Sequence, residues 1–467
     1  MNILKKYKSL ISILEDNEYS IDKQIVSKYC IDWRKDYEGT SEIILFPKSV
    51  EKISKIVSIC SKKKIPIVPQ GGNTGLVGGS VPRKNKGEII LNLKNLNKIR
   101  NLSSLDYSLI VESGCILQSI HDHLKKKSLL FPVSMGSRGS CQIGGNIATN
   151  AGGVNVIKFG SLRSNIIGLE AVMNNGQIFS QLNNIKKNNT GYDLKQLLIG
   201  SEGTLGIITA ANFKIYPSSL NNKVIFASFK CFNSLMDFYF NITKTFSSSI
   251  SSFEYINQES MNIVLKHYPK LGKIFNEQNC YCLIEVSNYN AIPNFDNYVI
   301  CNVHKFSSIA EDIIISKSES ENIKIWQYRE LIPLAETKEG FCIKHDISIP
   351  LESMEKFIDK TMFEIKKIEQ NVRLVNFGHL GDNNLHFNIM YITKENSKKL
   401  IKNSRKINNI IYEKVKQYQG SFSAEHGIGQ LKKKQLKIYK SKLEYSKMKA
   451  IKKIFDPNNI FNPGKVI

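Results

Sequence analysis

Two histidines lie seven positions apart in the segment FGHLGDNNLHFNIM (377–390), in a chain that has eight histidines in all. The β-rich runs on either side of the loop at 381–384 are typical of a β-hairpin. In that hairpin His379 and His386 would lie directly opposite each other on one face, with β-carbons about 5 Å apart. Asn388 would lie on the same face one pair further along, where it could reach a bound substrate. The pattern leaves two interpretations open: a metal site, or imidazoles that pack or face solvent.

A carboxylate and a further imidazole follow in SFSAEHGIG (421–429), after a predicted helix over 398–419 that ends at Gly420. Glu425 could complete a set of two imidazoles and one carboxylate, which leaves coordination positions open for water or a substrate. His426 is adjacent in a stretch predicted to be extended, so its side chain should point elsewhere. That placement favours the role of general base over that of ligand.

Three segments concentrate glycine: PQGGNTGLVGGSVP (69–82), GSRGSCQIGGNIATNAGG (136–153) and GSEGTLGIIT (200–209). Glycine lets the backbone approach a ligand, so that successive N–H groups can converge on phosphate oxygens. The first loop follows a strand-like run but lacks GxGxxG and leads into Pro82, which argues against a Rossmann NAD site. The loops together predict a site for a large phosphate-bearing cofactor. The candidate cofactor-binding residues are Gly71, Gly72, Asn73, Thr74, Gly75, Gly78, Gly79, Ser80, Gly139, Ser140, Gly144, Gly145, Asn146, Thr149, Asn150, Gly152, Gly206 and Ile207.

The elements that must position these residues form an α+β pattern. Residues 41–217 alternate short apolar runs with glycine-dense loops and a few helical segments, and the polar stretch 217–222 interrupts this pattern. Beyond it, runs such as KVIFASF and YCLIEVSN predict strands of a second sheet domain. We therefore expect a cofactor-binding domain over 1–217, a substrate- and metal-binding domain over 218–425, and a C-terminal helical segment over 426–467 that packs back on the first domain.

The composition excludes some classes of protein. The net charge of +24 would suit a polyanion-binding protein whose glycine loops are only turns, but lysine is spread along the whole chain and arginine is sparse, so we expect no nucleic-acid partner. No apolar run reaches the roughly 18 residues of a membrane span. Nine scattered cysteines indicate a reducing compartment. We expect a cytoplasmic protein, or a mitochondrial one if the source is eukaryotic.

The three glycine segments resemble the FAD-binding half of the vanillyl-alcohol-oxidase type flavoproteins. The whole chain, from EIILFPKSVEKISKIV near residue 42 to the closing FDPNNIFNPGK, is similar to the D-2-hydroxyglutarate dehydrogenases and their D-lactate and glycolate dehydrogenase relatives. The resemblance implies an α+β fold in which an FAD-binding domain precedes an α+β substrate, or cap, domain with an antiparallel sheet. Neither of the first two loops contains a histidine that could tether the flavin, so we expect FAD to bind noncovalently.

The segments HLGDNNLHFN and SAEHG match the metal and catalytic segments of that family. The match implies that His379, His386 and Glu425 bind a divalent metal, usually described as zinc, and that His426 is the general base. The implied reaction is the FAD- and metal-dependent oxidation of a D-2-hydroxy acid to the 2-oxo acid, with the hydride passing to flavin N5. The resemblance also implies an electron-transfer flavoprotein or a quinone as electron acceptor. It leaves a homodimer open.

Arg329 in WQYREL and Lys344 in CIKHDISIP correspond to an arginine and a lysine that bind the substrate in the hydroxyglutarate enzymes. Two cations suit the two carboxylates of D-2-hydroxyglutarate, which the resemblance therefore implies as the substrate. A threonine expected four residues after the arginine is Pro333 here, and proline cannot supply its hydroxyl. That departure keeps D-lactate or glycolate as the alternative substrate.

Overall fold

A computed structural model of the protein describes residues 3–467. The chain forms two compact units, of which the first contains the residues up to Gly152 together with 161–217 and 425–467. The second contains 153–160 and 218–424. Two boundaries thus differ from the sequence-based division, which placed 153–160 in the first domain and Glu425 in the second.

The reason for the first difference is local packing. A short helix, Val156–Phe159, packs against the strand Ile250–Asn257 of the second unit. The hydroxyl of Ser252 donates a hydrogen bond to the carbonyl of Val154 at 3.0 Å. A β-carbon built on Gly381 would lie 2.4 Å from the side chain of Ile157, so the helix packs tightly against the backbone there.

The first unit contains a four-stranded sheet, a five-stranded antiparallel sheet and a two-stranded ribbon. In spatial order the strands of the four-stranded sheet are Tyr19–Ser20, Ile44–Leu45, Ile89–Asn92 and Ile67–Gln70. The strands of the five-stranded sheet, in the same order, are Ile99–Ser103, Ser108–Glu112, Ile207–Lys214, Ile166–Val172 and Ile178–Gln181. The ribbon pairs Leu129–Leu130 with Tyr216–Pro217. Ile44–Leu45 and Ile67–Gln70 both run parallel to the strand between them, and the helix Val50–Lys63 makes the crossover that parallel strands need. Residues 71–88, which follow the strand Ile67–Gln70, form turns and contain no helix, so the Rossmann arrangement is absent there.

The second unit is built on one eight-stranded antiparallel sheet. In spatial order its strands are Asp312–Ile315, Asn222–Phe229, Cys280–Ser287, Ile250–Asn257, Val372–His379, Asn384–Tyr391 and Cys342–Ile343, with Asp346–Ser348 also paired to Asn384–Tyr391. The expected α+β architecture with an antiparallel sheet in the second domain is confirmed.

The helix predicted over 398–419 is confirmed as Leu400–Gln417. The helices of the first unit are Ile3–Lys6, Lys8–Ile11, Lys23–Tyr29, Val50–Lys63, Leu117–Lys125, Ile143–Thr149, Leu162–Asn165, Lys195–Leu198, Lys433–Tyr439 and Lys442–Phe455. Those of the second are Val156–Phe159, Phe232–Phe246, Gln258–His267, Phe295–His304, Glu319–Glu330, Ile332–Glu339, Leu351–Ile368 and Leu400–Gln417. The last of these buries Leu400, Ile407, Ile411 and Val415, which share one helical face.

The C-terminal segment belongs to the first unit. The backbone N–H of Asn462 donates to the carbonyl of Ile67 at 2.8 Å, and its side-chain amide donates to the carbonyls of Gly79 and Glu202. None of the nine cysteines forms a disulfide within residues 3–467. Among residues 3–467, no helix is both long enough and apolar enough to cross a bilayer.

Candidate active site

The predicted hairpin is formed by the strands Val372–His379 and Asn384–Tyr391. In its register His386 pairs with Phe377. The prediction that His379 and His386 lie directly opposite each other is therefore wrong: the residue opposite His386 is two positions before His379. The two rings are diagonal neighbours, with centroids 5.7 Å apart and planes at 79°.

The cause is the position of the turn. Leu380–Asp382 form one turn of 3₁₀ helix and Asn383 has a left-handed φ of 68°, so the four-residue loop starts one residue earlier than predicted. A one-residue shift at both ends of the loop changes the register by two positions. Because side chains alternate with period two, this change leaves His379 and His386 on the same face of the sheet.

His379 is fixed by a buried carboxylate on the neighbouring strand. Glu254 pairs with His379 in the ladder, and its Oε1 lies 2.6 Å from the Nδ1 of His379. Its Oε2 accepts a hydrogen bond from Nε of Arg329 at 2.6 Å, and that guanidinium lies over the ring of Phe377. Burial opposes ionisation of Glu254, but the charges of His379 and Arg329 lower its pKa to about 2. One carboxylate thus orients a predicted metal ligand and a predicted substrate-binding residue.

His386 has a carboxylate neighbour of its own. Asp346 pairs with His386 in the ladder between Asp346–Ser348 and the hairpin. Its Oδ1 accepts a hydrogen bond from the side chain of Asn384 at 2.8 Å and lies 3.9 Å from Nδ1 of His386. Asp346 is buried, so this carboxylate is held in place beside the imidazole.

Glu425 and His426 directly follow Ala424, the last residue of the second unit. The backbone N–H of Ala424 donates to the carbonyl of Asp346 at 3.3 Å. The second unit's last residue therefore lies beside the strand Asp346–Ser348, which pairs with the strand of His386.

Within the first unit, the segment Glu425–Gly429 contacts the second and third glycine loops. The carboxylate of Glu202, in the third glycine loop, accepts hydrogen bonds from the backbone N–H groups of Ile428 and Gly429 at 2.6 and 2.8 Å. Burial raises the pKa of Glu202 above its ordinary value. A β-carbon built on Gly152 would lie 2.3 Å from Oε1 of Glu425. In this structure the absence of a side chain at Gly152 therefore makes room for Glu425.

Lys344 and Asn388, two of the three predicted substrate-binding residues, meet at one buried carboxylate. Glu336, in the helix Ile332–Glu339, accepts a hydrogen bond from Nζ of Lys344 at 2.6 Å. Its other oxygen accepts from the side-chain amide of Asn388 at 2.7 Å. The carbonyl oxygen of that amide accepts from the backbone N–H of His345 at 3.1 Å.

In the first glycine loop, several predicted cofactor residues hold the loop's own shape. Asn73 has a left-handed φ of 53°, and its side chain donates to the carbonyl of Ile31. It also accepts a hydrogen bond from the hydroxyl of Ser80 at 2.8 Å. The buried side chain of Gln70 donates to the carbonyls of Tyr29 and Ser80. The hydrogen bonds of Gln70 and Asn73 with Ser80 join the two ends of the loop, and those with Tyr29 and Ile31 attach the loop to the preceding part of the chain.

The first and second glycine loops pack against each other. A β-carbon on Gly72 would lie 2.1 Å from the carbonyl oxygen of Ser140, so only glycine fits there. In contrast, among the described residues no atom would lie within 4 Å of a β-carbon on Gly75, Gly139 or Gly145.

A buried acceptor lies beside the first glycine loop, where a β-carbon on Gly71 would be 3.4 Å from Oε1 of Gln142. The Oε1 atom of Gln142 is buried and has no hydrogen-bond partner in the part of the chain that the structure describes. A ligand N–H or hydroxyl would satisfy it. The open backbone and the orphaned acceptor fit a bound nucleotide cofactor.

The remaining predicted cofactor residues are distributed along the edges of these loops. Thr149 ends the helix that contains Gly144, Gly145 and Asn146, and Asn150 follows it with a left-handed φ of 47°. Ile207 begins the central strand of the five-stranded sheet, and Gly206 directly precedes it. Their contacts with a cofactor, like those of Thr74, Gly78 and Gly79, stay predictions.

Four buried carboxylates near these sites were not predicted from the sequence: Glu202, Glu254, Glu336 and Asp346. Glu254 and Asp346 interrupt the β-rich runs SFEYIN and HDISI, and an acidic residue in a buried strand requires a partner, so a signal existed for these two. Glu336 lies in the mixed segment IPLAETKE, next to other polar and charged residues, and nothing in the sequence indicated its burial.

Two protein families match this chain. Residues 41–180 match the family described as "FAD binding domain", and residues 220–466 match "FAD linked oxidases, C-terminal domain". The mitochondrial D-2-hydroxyglutarate dehydrogenase of Arabidopsis thaliana is 35% identical over 459 residues, which cover 97% of this chain and 80% of the relative. A D-2-hydroxyglutarate–pyruvate transhydrogenase of Saccharomyces cerevisiae is 35% identical over 471 residues, which cover 98% and 93%.

Among solved structures, p-cresol methylhydroxylase with substrate bound superposes with a TM-score of 0.75 at 15% identity, over 99% of this chain and 96% of that one. At this identity the likeness shows the fold alone, and the expected vanillyl-alcohol-oxidase type fold is confirmed. From the matched domains and the full-length relatives together, the chain belongs to the FAD-linked oxidase family and is an FAD-dependent oxidoreductase.

Proposed function

We propose that the protein oxidises a D-2-hydroxy acid to the corresponding 2-oxo acid, with noncovalently bound FAD. The glycine loops would hold the cofactor through the open backbone at Gly75, Gly139 and Gly145 and the buried acceptor of Gln142. Bound FAD supplies the hydride acceptor. The observation that carries the proposal is the contact of Glu254 with His379 beside His386, because it prepares an imidazole pair for a ligand.

We propose that His379, His386 and Glu425 bind a divalent cation, zinc by resemblance. Ring nitrogens of the two histidines lie within 4.8 Å of each other. A carboxylate at Nδ1 fixes the tautomer of a histidine whose Nε2 binds a metal, and Glu254 occupies that position at His379. Two imidazoles and one carboxylate suit zinc, manganese or iron. The cation would supply a Lewis acid for the substrate hydroxyl and carboxylate.

His426 is proposed as the general base that accepts the hydroxyl proton. Its neighbours support a fixed position, because Ala424 is hydrogen-bonded to Asp346 and Ile428 to Glu202. Arg329, oriented through Nε by Glu254, is proposed to bind the substrate carboxylate. An electron-transfer flavoprotein or a quinone is proposed to reoxidise the enzyme.

Two candidate substrates follow. D-2-Hydroxyglutarate is the acid for which the Arabidopsis and yeast relatives are named, and the cations Arg329 and Lys344 are compatible with its two carboxylates. D-Lactate or glycolate is favoured by two specific observations. Pro333 lacks a hydroxyl, and the ammonium group of Lys344 is already paired with Glu336.

The test is anaerobic mixing of the yellow enzyme with each acid while the flavin absorbance is followed. His426→Asn should retain the flavin spectrum but reduce the rate of flavin reduction by about 10²–10⁴-fold, since a positioned base contributes that much. His304→Asn, at the exposed end of the helix Phe295–His304, is the matched control and should react at the wild-type rate. Unchanged reduction in His426→Asn would refute the assigned base. A colourless preparation that binds DNA in a strongly salt-dependent way would overturn the proposal as a whole.

A further inference from the structure

Glu336 is a buried carboxylate that the proposed chemistry does not use. It is 1% exposed, and both of its oxygens are engaged by side chains of predicted substrate-binding residues. The Nζ atom of Lys344 and the Oε2 atom of Glu336 are 2.6 Å apart, which is the distance of a strong charge-assisted hydrogen bond. The ammonium group of Lys344 is therefore neutralised from within the protein.

The position of this pair is set by the hairpin. Asn388, which donates to Glu336, lies two residues from His386 on the same strand, so their side chains point to the same face about 7 Å apart along the strand. A five-carbon substrate whose hydroxyl end lies near His386 is long enough for its far end to reach Asn388, Glu336 and Lys344.

We infer that Glu336 is a specificity-determining residue that selects D-2-hydroxy acids with an uncharged far end. The inference rests on the proposed function and names its substrate class. A second substrate carboxylate would have to compete with Glu336 for Lys344 and would meet a negative charge held in place by Asn388. An amide, a hydroxyl or a short apolar end meets no such repulsion.

The energetic argument depends on burial. Like charges brought together at a site shielded from water repel strongly, and a buried carboxylate cannot swing out into solvent without breaking its two hydrogen bonds. The helix Ile332–Glu339 also fixes the backbone of Glu336, so the carboxylate has little freedom to retreat. Removing the charge at position 336 should release Lys344 to bind a carboxylate.

The experiment compares D-2-hydroxyglutarate with its 5-amide, two acids of the same shape that differ in the charge of the far end. The ratio of their kcat/KM values is measured in the wild type, in Glu336→Gln, which keeps the shape of the side chain, and in Glu336→Leu. We expect the wild type to favour the amide. Both variants should raise the relative kcat/KM for the dicarboxylate by about tenfold or more, the value of one charge-assisted hydrogen bond.

Two controls identify the cause. Glu330→Gln removes the same charge from an exposed position at the end of a neighbouring helix and should leave the ratio unchanged. Adding Lys344→Met to Glu336→Gln should abolish the gain, because the released ammonium group is then missing. A wild type that uses the dicarboxylate better than the amide, a ratio that does not move in either Glu336 variant, or a gain that survives Lys344→Met would each overturn the inference. A flavin that no D-2-hydroxy acid reduces in any variant would instead overturn the proposed function.

Discussion

The glycine loops of the first unit and the histidine hairpin of the second prepare their sites by opposite means. In the loops the structure requires missing side chains: Gly72 lets two loops pack, and Gly75 leaves the backbone open. In the hairpin it requires additional side chains, because Glu254 and Glu336 each join two residues predicted to be functional. The comparison teaches that the proposed cofactor cradle depends on local backbone geometry, whereas the proposed catalytic face depends on buried carboxylates that come from distant parts of the chain.

The largest expected effect tests the hairpin half of this comparison. Glu254→Gln removes the negative charge between His379 and Arg329 and leaves a buried guanidinium without its counterion. Breaking a buried ion pair in this way costs about 3–5 kcal/mol of stability, and loss of the carboxylate behind a metal-binding histidine lowers metal affinity about 10–100-fold. Urea unfolding and metal content after dialysis measure the two effects.

The matched control is Glu285→Gln, on the strand adjacent to that of Glu254. Burial raises the pKa of Glu285, which accepts hydrogen bonds from Trp326 and Ser251, so an amide can replace it at a cost of about 1 kcal/mol. If both variants lost equal stability and kept equal metal, Glu254 would be an ordinary buried carboxylate and the comparison would fail.

The same contrast explains what could be predicted from the sequence. The glycine loops were recognisable because their requirement is local: a glycine or an αL asparagine such as Asn73 is visible at its own position. The hairpin and its face were also predicted, but the register was wrong because a 3₁₀ turn at Leu380–Asp382 cannot be distinguished from an open loop by residue type. Glu254 lies 125 positions from His379 and Glu336 lies 52 from Asn388, so no spacing rule joins them.

A second prediction tests the loop half. Gly72→Ala would place a methyl group 2.1 Å from the backbone carbonyl of Ser140, and one loop must move; overpacking of this kind costs about 1–3 kcal/mol. We expect Gly72→Ala to lower both the melting temperature of the apoprotein and its affinity for FAD. Gly75→Ala, which meets no atom of the described chain within 4 Å, should leave the apoprotein unchanged.

Comparing Gly72→Ala with Gly75→Ala distinguishes the effect of loop packing from the effect of contact with the cofactor. If Gly75→Ala lowers FAD affinity while the melting temperature of the apoprotein is unchanged, the methyl group obstructs the cofactor itself. If the two variants lost equal apoprotein stability, the close approach at Gly72 would have no special role in the fold of the loops.

The smallest expected effect concerns Glu339 and tests whether buried carboxylates also stabilise the second unit outside the proposed active site. Glu339 ends the helix that carries Glu336 and accepts hydrogen bonds from Lys266, His267 and Arg373. Burial opposes its ionisation, but these three partners lower its pKa from 4.5 to about 2. Since the folded-state pKa lies below the unfolded one, the stabilisation is complete above about pH 4.5 and is lost as the pH falls toward 2.

A pKa lowered by that amount corresponds to at most about 3 kcal/mol, and because Lys266 is 61% exposed we expect about 1–2 kcal/mol. Urea unfolding should therefore show Glu339→Gln to be less stable than the wild type at pH 7, with the difference shrinking toward pH 3. Glu364→Gln breaks an exposed pair with Lys367 and should change stability by less than about 0.5 kcal/mol at either pH. A stability difference between Glu339→Gln and the wild type that stayed constant with pH would show that the carboxylate acts through its shape rather than its charge. Dependence on buried carboxylate charge would then be limited to the residues of the hairpin that are proposed to face the substrate.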